Sequence, residues 1–193
     1  EGAAVARGDV VLFPKGLSLD AFSMVTRNSQ LWISYGNTFF YTIVGTLANV
    51  VFTCLGAYPL SRSHFFMRRP LNFFVAFTMY FSGGLIPLYM QIRNMGLGDS
   101  EWAWILGGLI QTYYLIIMIN GFQAIPESLY EAAYLDGATK WQTFTRITLP
   151  LCKPMLVYQI ITAFMGPWCD FIFGKLICRT NQQYYTVSIG LYT

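Results

Sequence analysis

The chain has 193 residues, 55% of them hydrophobic and 18% aromatic, with 11% charged, a net charge of +3 and a mean hydropathy of +0.46. Soluble domains carry about 25% charged residues, so this is the composition of a membrane protein. The small positive charge, with no readout motif beside it, argues against a nucleic-acid partner. Four cysteines without metal spacing argue against a metal site.

Residues 1–36 mix charged residues, Pro14-Lys15-Gly16 and an amphipathic stretch from Leu19 to Val25. They read as an ordered extracytoplasmic segment, too short to build a sizeable core of its own. Four apolar runs follow and define a transmembrane domain over 37–193. Residues 39–60, 71–92 and 102–122 contain no charged side chain, and each is about the 20 residues that cross a bilayer core. The fourth run, 155–173, is flanked by Lys153 and Lys175 and carries Asp170 near its end. Gly83-Gly84 and Leu85-Ile86-Pro87 predict a bend or break in the second span, tolerated only where neighbouring groups satisfy the freed backbone. The expected fold class is therefore all-α and polytopic.

Basic loops set the orientation. Arg62, Arg68 and Arg69 lie between the first two spans without an acid, and 123–153 carries Lys140, Arg146 and Lys153, whereas 93–101 sets Arg93 against Asp99 and Glu101. The loops 61–70 and 123–153 are expected in the cytoplasm, and 1–36, 93–101 and 174–193 outside. An outward N-terminal segment calls for a further span before Glu1. Cys54 and Cys152 read as small apolar residues in or beside spans. Cys169, near the outer end of the fourth run, and Cys178 could pair outside the membrane, the lesser of two readings since spacing alone decides little.

Polar and small residues form stripes inside the spans. Thr42, Gly45, Thr46, Asn49, Thr53 and Gly56 share one helical face, and Gln159, Thr162, Gly166 and Asp170 share another. Tyr113 and Asn120 lie together on the third span. Such stripes commonly pack helix on helix, the preferred reading for span one. For span four a water-lined path is preferred, because Asp170 near an outer end can stay solvated. Trp102, Trp104 and Trp168 suit interface anchors. His64 has no evident acid–base partner.

Between spans three and four runs Glu131 to Pro150, EAAYLDGATKWQTFTRITLP. Pro126 suits a helix start, and Leu129, Ala132 and Ala133 give the helix one narrow face of small side chains. Gly137 permits a left-handed stop. Thr139 with Gln142 reads as a capping box opening a second helix, which Pro150 limits.

These residues carry a resemblance. Glu131-Ala132-Ala133, three residues, Gly137, nine residues, Ile147, one residue, Leu149-Pro150 resembles the EAA loop of ABC importer permeases, without gaps. The alternative is an ordinary amphipathic connector on the membrane surface. The resemblance implies the type I importer permease fold with six spans, so one further span at each end of the four seen here is expected. It implies that Glu131, Ala132, Ala133, Asp136, Gly137, Leu149 and Pro150 couple to a separate ATPase, which holds the ATP and Mg, this chain carrying no cofactor and no catalytic residue. The implied partners are a second, different permease, two ATP-binding subunits, an extracytoplasmic solute-binding protein and membrane lipid, in the bacterial inner membrane. A substrate path is expected past Asn49, Tyr113, Asn120, Gln159, Thr162, Gly166 and Asp170, and a binding-protein contact at Gln182, Gln183, Tyr184 and Tyr185. Val11-Leu12-Phe13-Pro14-Lys15-Gly16, Leu19-Asp20 and Ala57-Tyr58-Pro59-Leu60-Ser61-Arg62 resemble the oligosaccharide subgroup, including importers of uronate oligosaccharides such as alginate fragments. A secondary transporter or channel is the alternative, disfavoured because spans one to three hold no ionisable acid or base. A membrane-embedded enzyme lacks its cluster of catalytic side chains.

Overall fold

The computed structural model describes residues 27–81, 83–98, 100–170, 172–177 and 182–190, and these residues form helices and turns without a strand. The amphipathic stretch 19–25, Asp99 and Cys178 lie outside the described residues. Helix α1, Ser29–Ser61, starts well before the expected span at 39, because the Asn28 side chain caps it by accepting the Gln30 N–H at 3.0 Å. Gly36 does not stop it. Pro59 sits in the last turn, and the chain leaves the helix at Arg62.

The second span is broken as expected. Helix α2, Arg68–Tyr80, and α3, Leu85–Asn94, are separated at Gly84, whose φ of +88° suits glycine alone. The third span is also broken, which the sequence reading did not anticipate. Helix α4, Glu101–Gly107, meets α5, Thr112–Gln123, at 40° across the Gly107-Gly108 step. Helix α6, Glu127–Leu135, and α7, Lys140–Leu151, form the connecting loop. Helix α7 turns by 78° at Cys152 into α8, Lys153–Cys169, and is followed by α9, Ile172–Ile177, and α10, Val187–Gly190. Among the described residues only α1 is by itself long and apolar enough to cross a membrane, and up to four crossings result if each bent pair counts as one.

Helix α1 is the mast of the structure, with its most extensive packing against α5 and α8. The buried threonines Thr42, Thr46 and Thr53 lie on that inner face, while Phe39, Leu47, Val51 and Phe52 are exposed on the other. The span-one stripe is therefore divided, with Thr42 and Thr53 in the packed face and Gly45, Thr46 and Asn49 reaching a cavity. Close helix approach recurs where α5 meets α8. Gly121 lies so tight against Met155 that a Cβ would not fit without displacement. One core cluster at the α6–α7 end holds Ala57, Leu60, Met118, Phe122, Phe144 and Cys152. A second at the opposite end holds Tyr41, Ile92, Ala103, Trp104, Tyr185 and Ile189.

Candidate functional site

The α6–α7 loop folds by local rules. Gly137 takes φ +78°, the Ala138 N–H donates to Ala133 O at 2.9 Å and the Gly137 N–H to Tyr134 O at 3.1 Å. This paired closure satisfies the last carbonyls of α6. Thr139 and Gln142 form the expected capping box, the Thr139 N–H donating to Gln142 Oε1 at 2.8 Å and the Gln142 N–H to Thr139 Oγ1 at 3.3 Å. Pro126 stands at the cap of α6, one position before the helix. Helix α7 ends at Leu151, one residue past Pro150.

Packing divides the motif into two faces. Glu131, Ala132, Asp136 and Gly137 are exposed, and Glu131 and Asp136 form no ion pair among the described residues. Ala133 is buried, as is Tyr130 at 1% exposure. The small face expected at Leu129, Ala132 and Ala133 is thus corrected. Leu129 and Ala132 look outward, and the inward face runs through Tyr130 and Ala133. Leu149 is half-buried against the core, whereas Pro150 is exposed.

Tyr130 fastens this element to the mast. The Arg62 guanidinium carbon lies 3.3 Å from the Tyr130 ring centroid and 4.8 Å from that of Tyr58. Cations are attracted to aromatic faces by about 0.5–2 kcal/mol, more when desolvated. Arg62 Nε and Nη2 are buried without a hydrogen-bond partner among the described residues, and the two rings offset part of their lost hydration. The Tyr130 hydroxyl is 3.2 Å from Thr148 Oγ1. Thr148 ends a π-helical turn, Phe144–Thr148, inside α7. Such turns leave the regular ladder by one residue and favour functional positions. In sequence Arg62 reads only as a basic loop residue at the end of a subgroup motif and Tyr130 carries no signal, since nothing local to either residue marks the pair. Cys152, at the bend beneath, is buried, which pushes its thiol above the ordinary value, with Arg62 only partly opposing. The protonated thiol should be unreactive. A Gly137→Val variant tests the turn directly. A β-branched residue at this φ should cost about 1–2 kcal/mol and raise amide exchange through 133–140 while α1 stays protected.

The opposite end holds a cavity of about 570 Å³ between α1, α4, α5 and α8. Of the expected path residues, Asn49, Thr162, Gly166 and Asp170 line it, with Gly45, Thr46 and Gln111. Gly166 has open space around it. Gln159 does not line it. It is 1% exposed and donates from Nε2 to Asn49 Oδ1 at 2.9 Å. Asn49 Nδ2 donates to Gly108 O at 2.7 Å, meeting a carbonyl freed by the α4–α5 break. Tyr113 is exposed, and Asn120 lines a second cavity instead.

The expected binding-protein contact is also divided. Tyr185 is buried in the outer core and Tyr184 is half-buried, while Gln183 is exposed and the Gln182 side chain lies outside the described residues. The segment is strapped to α1. Asn37 Nδ2 donates to the carbonyls of Gln183 and Tyr185, and the Val187 N–H donates to Thr38 Oγ1 at 2.9 Å. Cys169 is an exposed free thiol.

Residues 54–192 match the family model of the binding-protein-dependent transport system inner membrane component. The chain belongs to this family. The match takes in α5, both loop helices and α8, and makes the chain an inner-membrane component. Among similar proteins are Protein LplC of Bacillus subtilis strain 168, 39% identical over 94% of this chain and 62% of that protein. The polygalacturonan/rhamnogalacturonan transport system permease protein YtcP of the same organism is 41% identical over 90% of this chain and 61% of that one. The chain thus spans about three fifths of the length of these relatives. The fold is similar to a chain in the crystal structure of a bacterial ABC transporter involved in the import of the acidic polysaccharide alginate. The TM-score is 0.87 and the identity 32%, covering 98% of this chain and 67% of that one.

Proposed function

We propose that this inner-membrane component is the permease subunit of an ATP-driven, binding-protein-dependent importer of oligosaccharides, with uronate oligosaccharides such as alginate fragments the first class to test. The observation that carries the reading is the two-faced α6 helix. Its inner side, Tyr130 and Ala133, is held by the mast, and its outer side exposes Glu131, Ala132 and Asp136, the two acids forming no ion pair among the described residues. An ATPase subunit that engages this surface moves α1 through Arg62. Glu131 supplies an anion able to accept a charge-assisted bond from a partner Arg or Lys. ATP with Mg resides on that partner, and a second permease completes the path.

The names of YtcP and of the alginate importer support a sugar substrate, and an acidic one in particular. The cavity adds a constraint. Asp170 is the sole carboxylate among its described lining residues, and no Lys, Arg or His is among them. The second permease or the binding protein is the first place to look for the group that meets a uronate charge.

The test is uptake of labelled oligosaccharide in proteoliposomes holding the full complex and the binding protein. Uptake should require ATP hydrolysis. Gly166→Leu, projecting into the cavity, should remove most of it, whereas Ile161→Leu on an exposed face should leave it unchanged. Uptake that continues without ATP on an imposed ion gradient would overturn the importer reading. Equal loss at both positions, with normal insertion, would assign the α8 stripe to packing alone.

A further inference from the structure

A second cavity, of about 950 Å³, lies where the loop after α1 meets the first turns of α2 and the last turns of α5. Its lining is graded. His64, Arg68 and Arg69 stand together, Asn72, Asn120 and Gln123 are the amides, and Ala76 and Ile119 lie on the apolar wall. Arg68 and Arg69 form no ion pair among the described residues. The carboxylate recorded against a lining residue is that of Glu127, 3.4 Å from Ser63 Oγ. Helix α2 opens here with no acid in its first turn and no side-chain cap at Met67, leaving its positive end uncompensated.

We propose that this cavity binds the phosphate-bearing headgroup of an anionic membrane phospholipid. The basic side chains and the start of α2 supply donors for the phosphate, and the amides suit the glycerol and ester oxygens. A free phosphate would use only the basic end. The apolar wall gives an acyl chain a surface, and Phe73 and Phe77 extend such a surface along the exposed side of α2. The depth is also right, since the cavity lies at the end of the mast, where a spanning helix leaves the bilayer. Basic pockets between membrane helices take anionic headgroups by this combination. The proposal is independent of what the protein transports. It does place a lipid beside Ser63, and so beside α6.

The test uses the full protein assembled with its partner subunits, in nanodiscs of phosphatidylcholine mixed with phosphatidylglycerol. After gentle extraction, native mass spectrometry reads which lipid stays bound. Phosphatidylglycerol should be retained in preference. Arg68→Gln with Arg69→Gln should weaken its retention about 25-fold, two charges at about fivefold each. Arg68→Lys with Arg69→Lys should restore most of it. Ala76→Phe, which narrows the apolar wall and leaves every charge in place, should also release the lipid, and this keeps the test decisive if the double Gln variant fails to assemble. Equal retention of the two lipids would overturn the proposal, as would undiminished retention in the Gln or Phe variants. Displacement by inorganic phosphate alone would show a free-anion site, and loss of the lipid whenever the ATPase subunits bind would show a protein contact. Either result also overturns it.

Discussion

Replacing Tyr130 by Ala should release α6 from the mast while the spans remain inserted. The ring is almost wholly buried and lies against the Arg62 guanidinium. Truncating a buried aromatic costs about 3–5 kcal/mol, and here Arg62, with Nε and Nη2 already unpartnered, loses a compensating face as well. Helix α6 has nine residues, and isolated helices below about 12 residues are marginal in water. The energy should therefore appear as local opening rather than global unfolding. Amide exchange across 127–138 should rise by orders of magnitude, ATPase retention should fall, and uptake should be nearly lost. Tyr130→Phe keeps the ring and removes only the contact with Thr148 Oγ1, a change of about 1 kcal/mol. It should transport close to the original rate. Unchanged exchange in the Ala variant would mean that the loop is held by something other than this clamp.

The second large effect is expected at the polar node between the two cores. Asn49→Leu withdraws the donor from Gly108 O and the acceptor from Gln159 Nε2. Gln159 Oε1 is already without a partner, so its buried amide would be left wholly unsatisfied. Each stranded group costs about 1–3 kcal/mol. Thermal unfolding of the purified protein in detergent should show a large downward shift, accompanied by loosening at the α4–α5 bend. Gln159→Leu should be milder, because Asn49 keeps its bond to Gly108. The double variant should be less damaged than the sum, with a coupling of about 0.6–1.7 kcal/mol, the range found for hydrogen bonds between membrane helices. Strict additivity would mean that the two amides do not act as a pair.

What the sequence determined by itself is what neighbouring residues decide. Apolar runs long enough for a bilayer specify helices wherever the backbone must satisfy itself. Gly137 and the Thr139–Gln142 pair specify the turn because their bonds close within three to five residues. Gly84 breaks α2 from α3 by its own conformational freedom. The EAA spacing was readable for the same reason, being a loop pattern carried in one stretch. Tertiary structure decided which side of each element faces inward. Ala132 and Ala133 are alike in sequence, yet only Ala133 is buried, because Tyr130 turns that side of α6 toward Arg62. Tyr184 and Tyr185 looked equally available, but Asn37 and Thr38 strap the chain so that Tyr185 enters the outer core. The stripe residues Asn49 and Gln159 differ by 110 positions and meet only when α1 packs on α8. Helical periodicity reports a residue's direction around its own axis. It carries no information on whether a neighbouring helix, a cavity or lipid lies in that direction, and only packing supplies that.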